Sequence, residues 1–539
     1  MNIKELKENA LKLFNDRTTF MTLLQEIAEN FYSERADFTY QRSFGEEYAD
    51  NLMTSYPTMI RRDLGNQFGA MLRPTNKAWF EMGLVDEDET LDTDAKRYLE
   101  WISKGMRKAM YDKRTQFTRA TKEGDHDFAA FGQCVISVTP SRDAAHLLYR
   151  NWNIRDCAWQ ENEDGEIGFF VRKWKAKARD LVRKFGDRVK GDIKTRSEKE
   201  PFFDVLCYHI VCEAEYYDED AKGRLYWSIY YDVDNDTILE QIPMFDFEYV
   251  IPRWQTVSGS QYAFSPATIT ALPDARLIQA MSLTLLEAGE KATNPPIVAT
   301  KDAVKSDMSM YAGGVTWVDK DYDERLGDAL RPVSQDLRGL PFGFEMQADQ
   351  REMLRAAFYL DRLSLPVNAP EMTAYEVGQR VQQYIRDAMP IFEPMEMNYN
   401  GQVCELTYAR MMRAGAFGNP RYNMPHSLSG KETKFIFESP LHDAIEQQKG
   451  QKFLEAKALL AEAASIDGTA VAMINIKDAV RESLHGIGVP AQWVRSELEL
   501  MAYEAERQAE AAEQANLDKM EQSSQVAANL AKAGGGVSG

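Results

Sequence analysis

Between Leu147 and Val250 the chain consists of short, closely spaced strand-forming runs, and after Pro252-Arg253-Trp254 it changes to long helical ones. That change of period constrains the fold most. Strands only a few residues apart pair with their neighbours as antiparallel meanders, not through crossover helices. The runs are Gly168 to Arg172, Asp204 to Tyr216, Arg224 to Asp232 and Thr237 to Ile242, with one predicted helix, Ala176 to Phe185, among them. Upstream, Phe117 to Phe131 has helical spacing and leads into a short strand, Gly132 to Val138. The expected class is α+β.

Beyond Trp254, Pro273 and Asp274 are helix-opening residues, and Leu277, Ile278, Met281, Leu285 and Ala288 follow at helical spacing until Asn294-Pro295-Pro296. A second amphipathic helix is predicted over Glu345 to Leu363, carrying Met346, Met353, Leu354, Ala357, Phe358 and Leu360. Between them Tyr311 to Trp317 reads as a turn feeding a strand. The loop Ser364 to Met372 holds two prolines and is neither helix nor interior strand. Thr373 with Glu376 forms a capping-box pattern opening a long helix through Arg380, which Pro390 and Pro394 break or kink before it resumes toward Met412. An irregular stretch follows, from Gly415 to Phe437. Further helices are expected at Leu441 to Ala464, Ile476 to Gly486 and Ala491 to Lys519, and no repeat of solenoid period is visible.

At 539 residues the chain exceeds one ordinary core and fits three or four domains, or one large multi-lobed assembly subunit. No window reaches the roughly 18 to 20 apolar residues that a bilayer crossing needs, and Met1 to Glu5 opens into polar helix without a signal peptide, so no membrane association and a cytoplasmic folding site are expected. Five cysteines, Cys134, Cys157, Cys207, Cys212 and Cys404, are sparse and odd in number, which argues for reduced thiols. In a strand Cys207 and Cys212 point to opposite faces; His209 shares a face with Cys207, and sheet packing explains that pair better than a metal site. A net charge of −20 argues against tight gripping of nucleic acid but is compatible with a wall past which DNA slides, as it is with a merely soluble surface.

Catalytic signatures are missing. Asp232, Asp234 and Asp236 alternate as in a calcium loop, yet Thr237 and Pro243 stand where the glycine and the glutamate would be needed, so a turn between strands is the better reading. The run Asp86 to Glu89 reads as a solvated loop. Gly430-Lys431-Glu432 is not a phosphate loop, neither Gly-x-Ser-x-Gly nor His-Glu-x-x-His occurs, and the six histidines are scattered. The expectation is a structural protein without cofactor, metal or catalytic residues.

Four stretches carry a resemblance. Residues 23 to 80 run from an apolar helix, Leu23 to Phe31, through a polar-aromatic linker with Tyr40 and Arg42, to Tyr56 to Met71, Leu72-Arg73-Pro74 and Trp79-Phe80. Tyr262 to Ala267 precedes a helix ending at Asn294-Pro295-Pro296. Glu371-Met372-Thr373-Ala374-Tyr375-Glu376-Val377 with Arg380 is similar to a threonine-alanine-x-glutamate-valine signature, and Ile487 to Pro490 with Val494-Arg495-Ser496 matches a late helical region. In this order they resemble the head-to-tail connecting (portal) proteins of short-tailed bacteriophages.

The resemblance implies a ring, usually dodecameric, at one capsid vertex of the virion. It would be the channel for packaging and ejection of double-stranded DNA without sequence readout. Partners would be the terminase large subunit, tail and adaptor proteins, and capsid and scaffolding proteins. It further implies a wing over residues 1–271 and 373–440, the latter with a long kinked helix. Stem helices would span 272–294 and 344–363, a small α/β clip 295–343, a tunnel loop 364–372, a helical crown 441–520 and a flexible tail 521–539. Leu365, Pro366, Val367, Asn368, Ala369, Pro370 and Glu371 are then candidate tunnel-loop residues, and Arg276, Lys291, Arg351 and Arg355 candidate stem charges, although a solvated helix face explains any single one of these four better.

Two amphipathic helices joined by a small insert cannot bury all their apolar sides within one subunit, whereas neighbours in a ring can cover them. Two rival readings are a capsid scaffold or internal virion protein, and a metal-dependent nuclease using Asp232 or Asp234. The aromatic residues Phe31, Tyr32, Tyr40, Tyr56, Phe68, Trp79 and Phe80 are expected in core and intersubunit packing.

Overall fold

The computed structural model describes residues 3–43, 52–75, 77–85, 93–217, 223–299, 330–332, 340–363, 393–418 and 424–437, with isolated positions elsewhere. In chain order its elements are α1 (Ile3–Asp16), α2 (Thr18–Phe31), α3 (Tyr56–Leu72), β1 (Phe80–Leu84), α4 (Thr93–Met110), α5 (Phe117–Phe131), β2 (Val135–Pro140), β3 (Leu147–Trp152), β4 (Cys157–Glu161), β5 (Ile167–Lys177), α6 (Ala178–Phe185), α7 (Gly191–Lys199), β6 (Asp204–Glu213), α8 (Ala214–Tyr217), β7 (Tyr226–Asp232) and β8 (Thr237–Met244). There follow β9 (Tyr249–Val250), β10 (Gln255–Thr256), β11 (Ala263–Phe264), α9 (Pro266–Thr293), β12 (Ile297–Ala299), β13 (Leu330–Pro332), α10 (Leu340–Ala357), α11 (Leu360–Leu363), a π-helical turn Met395–Gly401, α12 (Gln402–Arg413) and β14 (Thr433–Phe437). Helices and antiparallel sheets are mixed, so the class is α+β.

The chain divides into two compact units, one of residues 1–73 and 111–406, the other of 74–110 and 407–539. In the first, β4 to β8 form a five-stranded antiparallel meander in sequence order, the pairing expected from their close spacing. Alternation along β6 gives the sheet two apolar faces. Cys212, Ile210 and Tyr208 pack with Phe169, Val171, Trp227 and Ile229 under Leu6, Ala10 and Leu13 of α1. Cys207 and Val205 pack on the other face with Leu181, Phe185 and Ile193 of α6 and α7. The two cysteines thus lie on opposite faces, and all five are buried free thiols. His209 is buried in the sheet, bonded through Nδ1 to Tyr249 Oη at 2.5 Å and through Nε2 to Ser228 Oγ at 2.8 Å. A second sheet, β3-β2-β9, and helices α2, α3, α5 and α9 belong to the same unit.

The root of α9 is fixed by groups that helix ends leave unsatisfied. Gly132 ends α5 in the left-handed conformation (φ 71°), and a Cβ there would lie 2.1 Å from the carbonyl carbon of Phe264, so only glycine lets the two backbones approach. Beside it, Ser265 Oγ donates to the Ala129 carbonyl and Thr268 Oγ1 to the Ala130 carbonyl, each at 2.8 Å. Ser265 also caps α9, accepting from the Thr268 amide at 3.4 Å, with Pro266 in the first turn. The helix therefore opens at Pro266 and not at Pro273, which lies inside it. Ala267, Ala271, Leu272, Ala275 and Ile278 are buried around that proline, and their packing offsets its cost of about 3 kcal/mol.

The next helix also differs from its expected span. It begins at Leu340, not Glu345, and ends at Ala357, because Tyr359 takes a left-handed conformation (φ 57°) before the short α11. Burial of Phe358 against Phe31, with ring centroids 5.4 Å apart, holds that break. Other boundaries shift less: β5 runs on to Lys177, and the run expected to continue as strand to Tyr216 turns helical at Ala214. After Pro394 the chain makes a π-helical turn before α12, the irregularity expected there. The loop Ser364 to Met372, the segment Tyr311 to Val315 and the helix start at Thr373 lie outside the described residues, as do most positions of the three helices expected after Leu441.

In the second unit β1 pairs with β14 in register, Phe80 opposite Phe437 and Met82 opposite Phe435. Trp79 stacks on Phe437, and the Met82 amide donates to Ser103 Oγ of α4 at 3.1 Å. Among the opening aromatics Phe31, Phe68, Trp79 and Phe80 are core, whereas Tyr40 is 45% exposed.

Two histidines make the first unit sensitive to acid. His126 on α5 lies 3.1 Å from Arg61 Nη1, and burial, with the charges of Arg61, Lys122 and Arg62, pushes its pKa down to about 4. Burial likewise lowers the pKa of His209. The unfolded chain then binds more protons than the folded one between an ordinary histidine pKa near 6.5 and the depressed values, so stability falls as the pH drops through that window. Urea midpoints are expected to fall between about pH 7.5 and pH 5, with a smaller fall in His126→Gln, whose side-chain oxygen can still accept from Arg61.

Candidate functional site

Helices α9 and α10 lie side by side in the first unit and run antiparallel. Gln347 Nε2 donates to Ser282 Oγ at 2.8 Å, while Gly343, earlier on α10, faces Leu285, later on α9. A Cβ at residue 343 would sit 2.7 Å from Leu285 Cδ2, so a small residue permits this close crossing. At its far end the hairpin continues into a ribbon in which β12 pairs antiparallel with β13, Ile297 opposite Pro332, so the insert leaves and returns through paired strands.

The inner end of the hairpin is held by its own subunit. Gln279 Oε1 accepts from the Met53 and Thr54 amides at 2.7 and 2.9 Å, and its Nε2 donates to the Thr54 carbonyl at 3.0 Å. On α10 only Leu354 is buried, and on α9 no residue after Gln279 is. Leu283, Leu286, Phe342, Phe344, Met346 and Met353 are each at least 40% exposed. Sequence periodicity had placed Met346 and Met353 with Leu354, Phe358 and Leu360, yet only the last three are buried. A helix pair with apolar residues on its outer sides needs a further surface to cover them.

The four candidate stem charges all lie on this hairpin, two on each helix. Arg276 pairs with Glu26 of α2, its Nε 2.7 Å from Oε1. Arg351 lies 5.6 Å from the centre of the Tyr56 ring, and Tyr56 Oη donates to its carbonyl at 3.0 Å. Arg355 Nε donates to Asp361 Oδ1 at 2.6 Å, and that bond raises the arginine's pKa further. Lys291 is exposed in the last turn of α9, where a cation favours the helix dipole. Arg276, Arg351 and Arg355 thus make contacts within their own subunit, with partners such as Glu26 and Tyr56 that are far away in sequence. The candidate loop residues Leu365 to Glu371 lie outside the described residues.

The aspartates considered for a nuclease are used in a turn. Asp232 is fully buried, and its carboxylate accepts from the Asp234 and Asn235 amides at 3.1 and 3.3 Å and from Asn235 Nδ2 at 2.9 Å. Asp236 accepts from Lys7 and from Tyr231, which tie α1 to the β7–β8 hairpin. Among the described residues no group of three or more His, Cys, Asp or Glu is placed to hold a metal ion, and no helix is long and apolar enough to cross a membrane.

Over 448 residues the chain is 25% identical to a "Probable portal protein" of Bordetella phage BPP-1, covering 80% of this chain and 78% of that one. Over 456 residues it is 21% identical to the "Portal protein" of Salmonella phage epsilon15, covering 81% and 80%. The profile of the family described as "Bacteriophage head to tail connecting protein" matches residues 3–494. The chain belongs to the bacteriophage head-to-tail connecting protein family.

Proposed function

We propose that this portal protein assembles side by side into a dodecameric ring at one capsid vertex of the virion, with α9 and α10 of each subunit forming the wall of a channel for double-stranded DNA. The observation that carries this reading is the helix pair, rooted firmly at one end and apolar on its outer sides, which neighbouring copies would cover. Covering a Leu or Phe side chain is worth about 1.5 to 3 kcal/mol, so a few such residues on each side suffice to hold neighbours together. Along the exposed part of the hairpin five carboxylates (Glu287, Glu290, Glu345, Asp349, Glu352) face three cations (Lys291, Arg351, Arg355), a balance that repels phosphate and favours sliding over gripping.

In this reading residues 1–271 and 373–440 form the wing, 272–294 and 344–363 the stem, 295–343 the clip, 364–372 the tunnel loop and 441–520 the crown, with 521–539 as tail. Leu365 to Glu371 would approach passing DNA. The terminase large subunit and tail or adaptor proteins would dock at the clip, and capsid and scaffolding proteins on the outer surface. The role is structural. Electron microscopy of the purified full-length protein tests the reading: rings with a central hole are expected, and monomers or irregular shells would overturn it in favour of a scaffold or internal protein.

A further inference from the structure

The sheet of the first unit carries a charge anomaly. Residues 172–199, the end of β5 with α6 and α7, contain twelve Lys or Arg against four Asp or Glu, a local charge of +8 in a chain of −20, so the remainder carries −28. The segment has an apolar centre of its own, with Ala176, Ala178, Leu181, Phe185, Val189 and Ile193 packed on Val205, Cys207 and Leu239, which leaves nearly all its cations outside. Several are neutralised locally: Lys177 by Asp204 at 2.7 Å, Arg188 by Glu240 and Lys194 by Asp187 at 2.9 Å each, and Arg196 by Glu200 at 3.1 Å. Lys173, Lys175, Arg179, Arg183 and Lys199 are exposed and have no acid within ion-pair distance among the described residues. Five neighbouring cations without an acidic partner give this lobe a positive local potential, which attracts anions.

Their arrangement is regular. Strand β5 runs past β4, whose pairing stops at Arg172, and beyond it pairs only with β6. Lys173, Lys175 and Lys177 alternate along this protruding end on one face of the sheet, and alternate strand residues are about 6.6 Å apart. Consecutive phosphates of one B-form strand are about 6.5 to 7 Å apart, since the backbone winds around the axis while rising about 3.4 Å per step, so lysines at this spacing can meet successive phosphates of one strand. Arg179 and Arg183, one turn apart, lie on the outside of α6, which packs through Leu181 and Phe185 on the opposite face, that of Ala176 and Cys207, so the lobe presents cations on both sides of the strand end.

We propose that this lobe binds the phosphate backbone of double-stranded DNA, outside the proposed channel and without reading sequence. Backbone contact of this kind is electrostatic and salt-sensitive, and each cation lost lowers the salt slope by about one. The test is anisotropy of a short labelled mixed-sequence duplex titrated with the full-length protein at several salt concentrations. The charge-reversal pair Lys173→Glu with Lys175→Glu is expected to weaken binding at least about tenfold and to reduce the salt slope by about two, and Arg179→Glu with Arg183→Glu, on the other face, to weaken it less. Lys104→Glu with Lys108→Glu, on α4 in the other unit, is the control and should leave both unchanged. Equal binding by wild type and the Lys173/Lys175 variant, or no binding by wild type at low salt, overturns the proposal. So does displacement of the duplex by polyglutamate at equal charge concentration, which would make the lobe a site for an acidic protein. The lobe is argued independently of the ring: rings in the microscope with unchanged DNA affinity would sink only the lobe, and lobe-dependent binding without rings only the portal architecture.

Discussion

A subunit carrying Leu286→Glu and Phe342→Glu is expected to fold normally and to remain monomeric. These side chains are 56% and 65% exposed, on α9 and α10 respectively, so charging them creates no buried charge within the subunit. Surface substitutions of this kind usually change stability by no more than about 0.5 kcal/mol. In a ring each would place a carboxylate where a neighbour's apolar side should lie, at a cost of several kcal/mol per interface, repeated around the circle. Light scattering and microscopy should show rings replaced by single subunits with an unchanged thermal transition. Persistence of rings would mean that these outer sides face solvent and that the subunits join elsewhere. Lys291→Glu serves as the companion variant: it removes a cation that favours the helix dipole, so a loss of only a few tenths of a kcal/mol and intact rings are expected.

Asp125→Ala should be the most damaging single change within the fold. Asp125 on α5 pairs with Arg73 at the end of α3, both almost wholly buried. Arg73 also donates through Nη1 to Asn400 Oδ1 at 2.5 Å and lies 4.6 Å from the centre of the Tyr399 ring, so it ties α3 and α5 to the π-helical turn. Removing the carboxylate leaves a buried guanidinium without its counter-charge, at a cost of about 3 to 5 kcal/mol. Denaturant unfolding should show that loss in the first unit. Replacing both partners, Arg73→Met with Asp125→Leu, is expected to recover most of it, because the penalty lies in the unpaired charge and not in the absence of the bridge. Equal destabilisation by single and double variants would show that Arg73 acts through its packing.

Much of the fold was legible because local signals were strong. Phe117 to Phe131 reads as a helix from its spacing and from the glycine that ends it, and the meander between Leu147 and Val250 follows from closely spaced β-branched and aromatic runs. Asp232 to Asp236 reads as a turn because its spacing fails the metal-loop pattern, and in the hairpin found there Asp232 accepts from backbone amides while Asp236 accepts from the Lys7 and Tyr231 side chains. Helix starts were less legible. Pro273 carries the usual opening signal, but Ser265 and Pro266 carry it too, and what decides between them is the packing of Ala267 to Ile278 and the anchoring of Ser265 and Thr268 on the end of α5. Tyr359, which breaks the second helix, has no sequence mark at all, since its left-handed backbone is held by the burial of Phe358 beside it.

The candidate site divides along the same line. Sequence alone determined the α+β class, the two helices with an insert between them, the poverty of catalytic groups and, through four ordered motifs, the resemblance to the head-to-tail connecting family, because these are properties of local spacing and residue type. Only the tertiary structure decided that Arg276 is held by Glu26 and Arg351 by Tyr56, that Met346 and Met353 point outward while Leu354 is buried, and that the cations of residues 172–199 surround one small apolar centre. Such facts depend on which distant segments meet. A periodic pattern states that a helix has an apolar side; it does not state whether its own subunit covers that side.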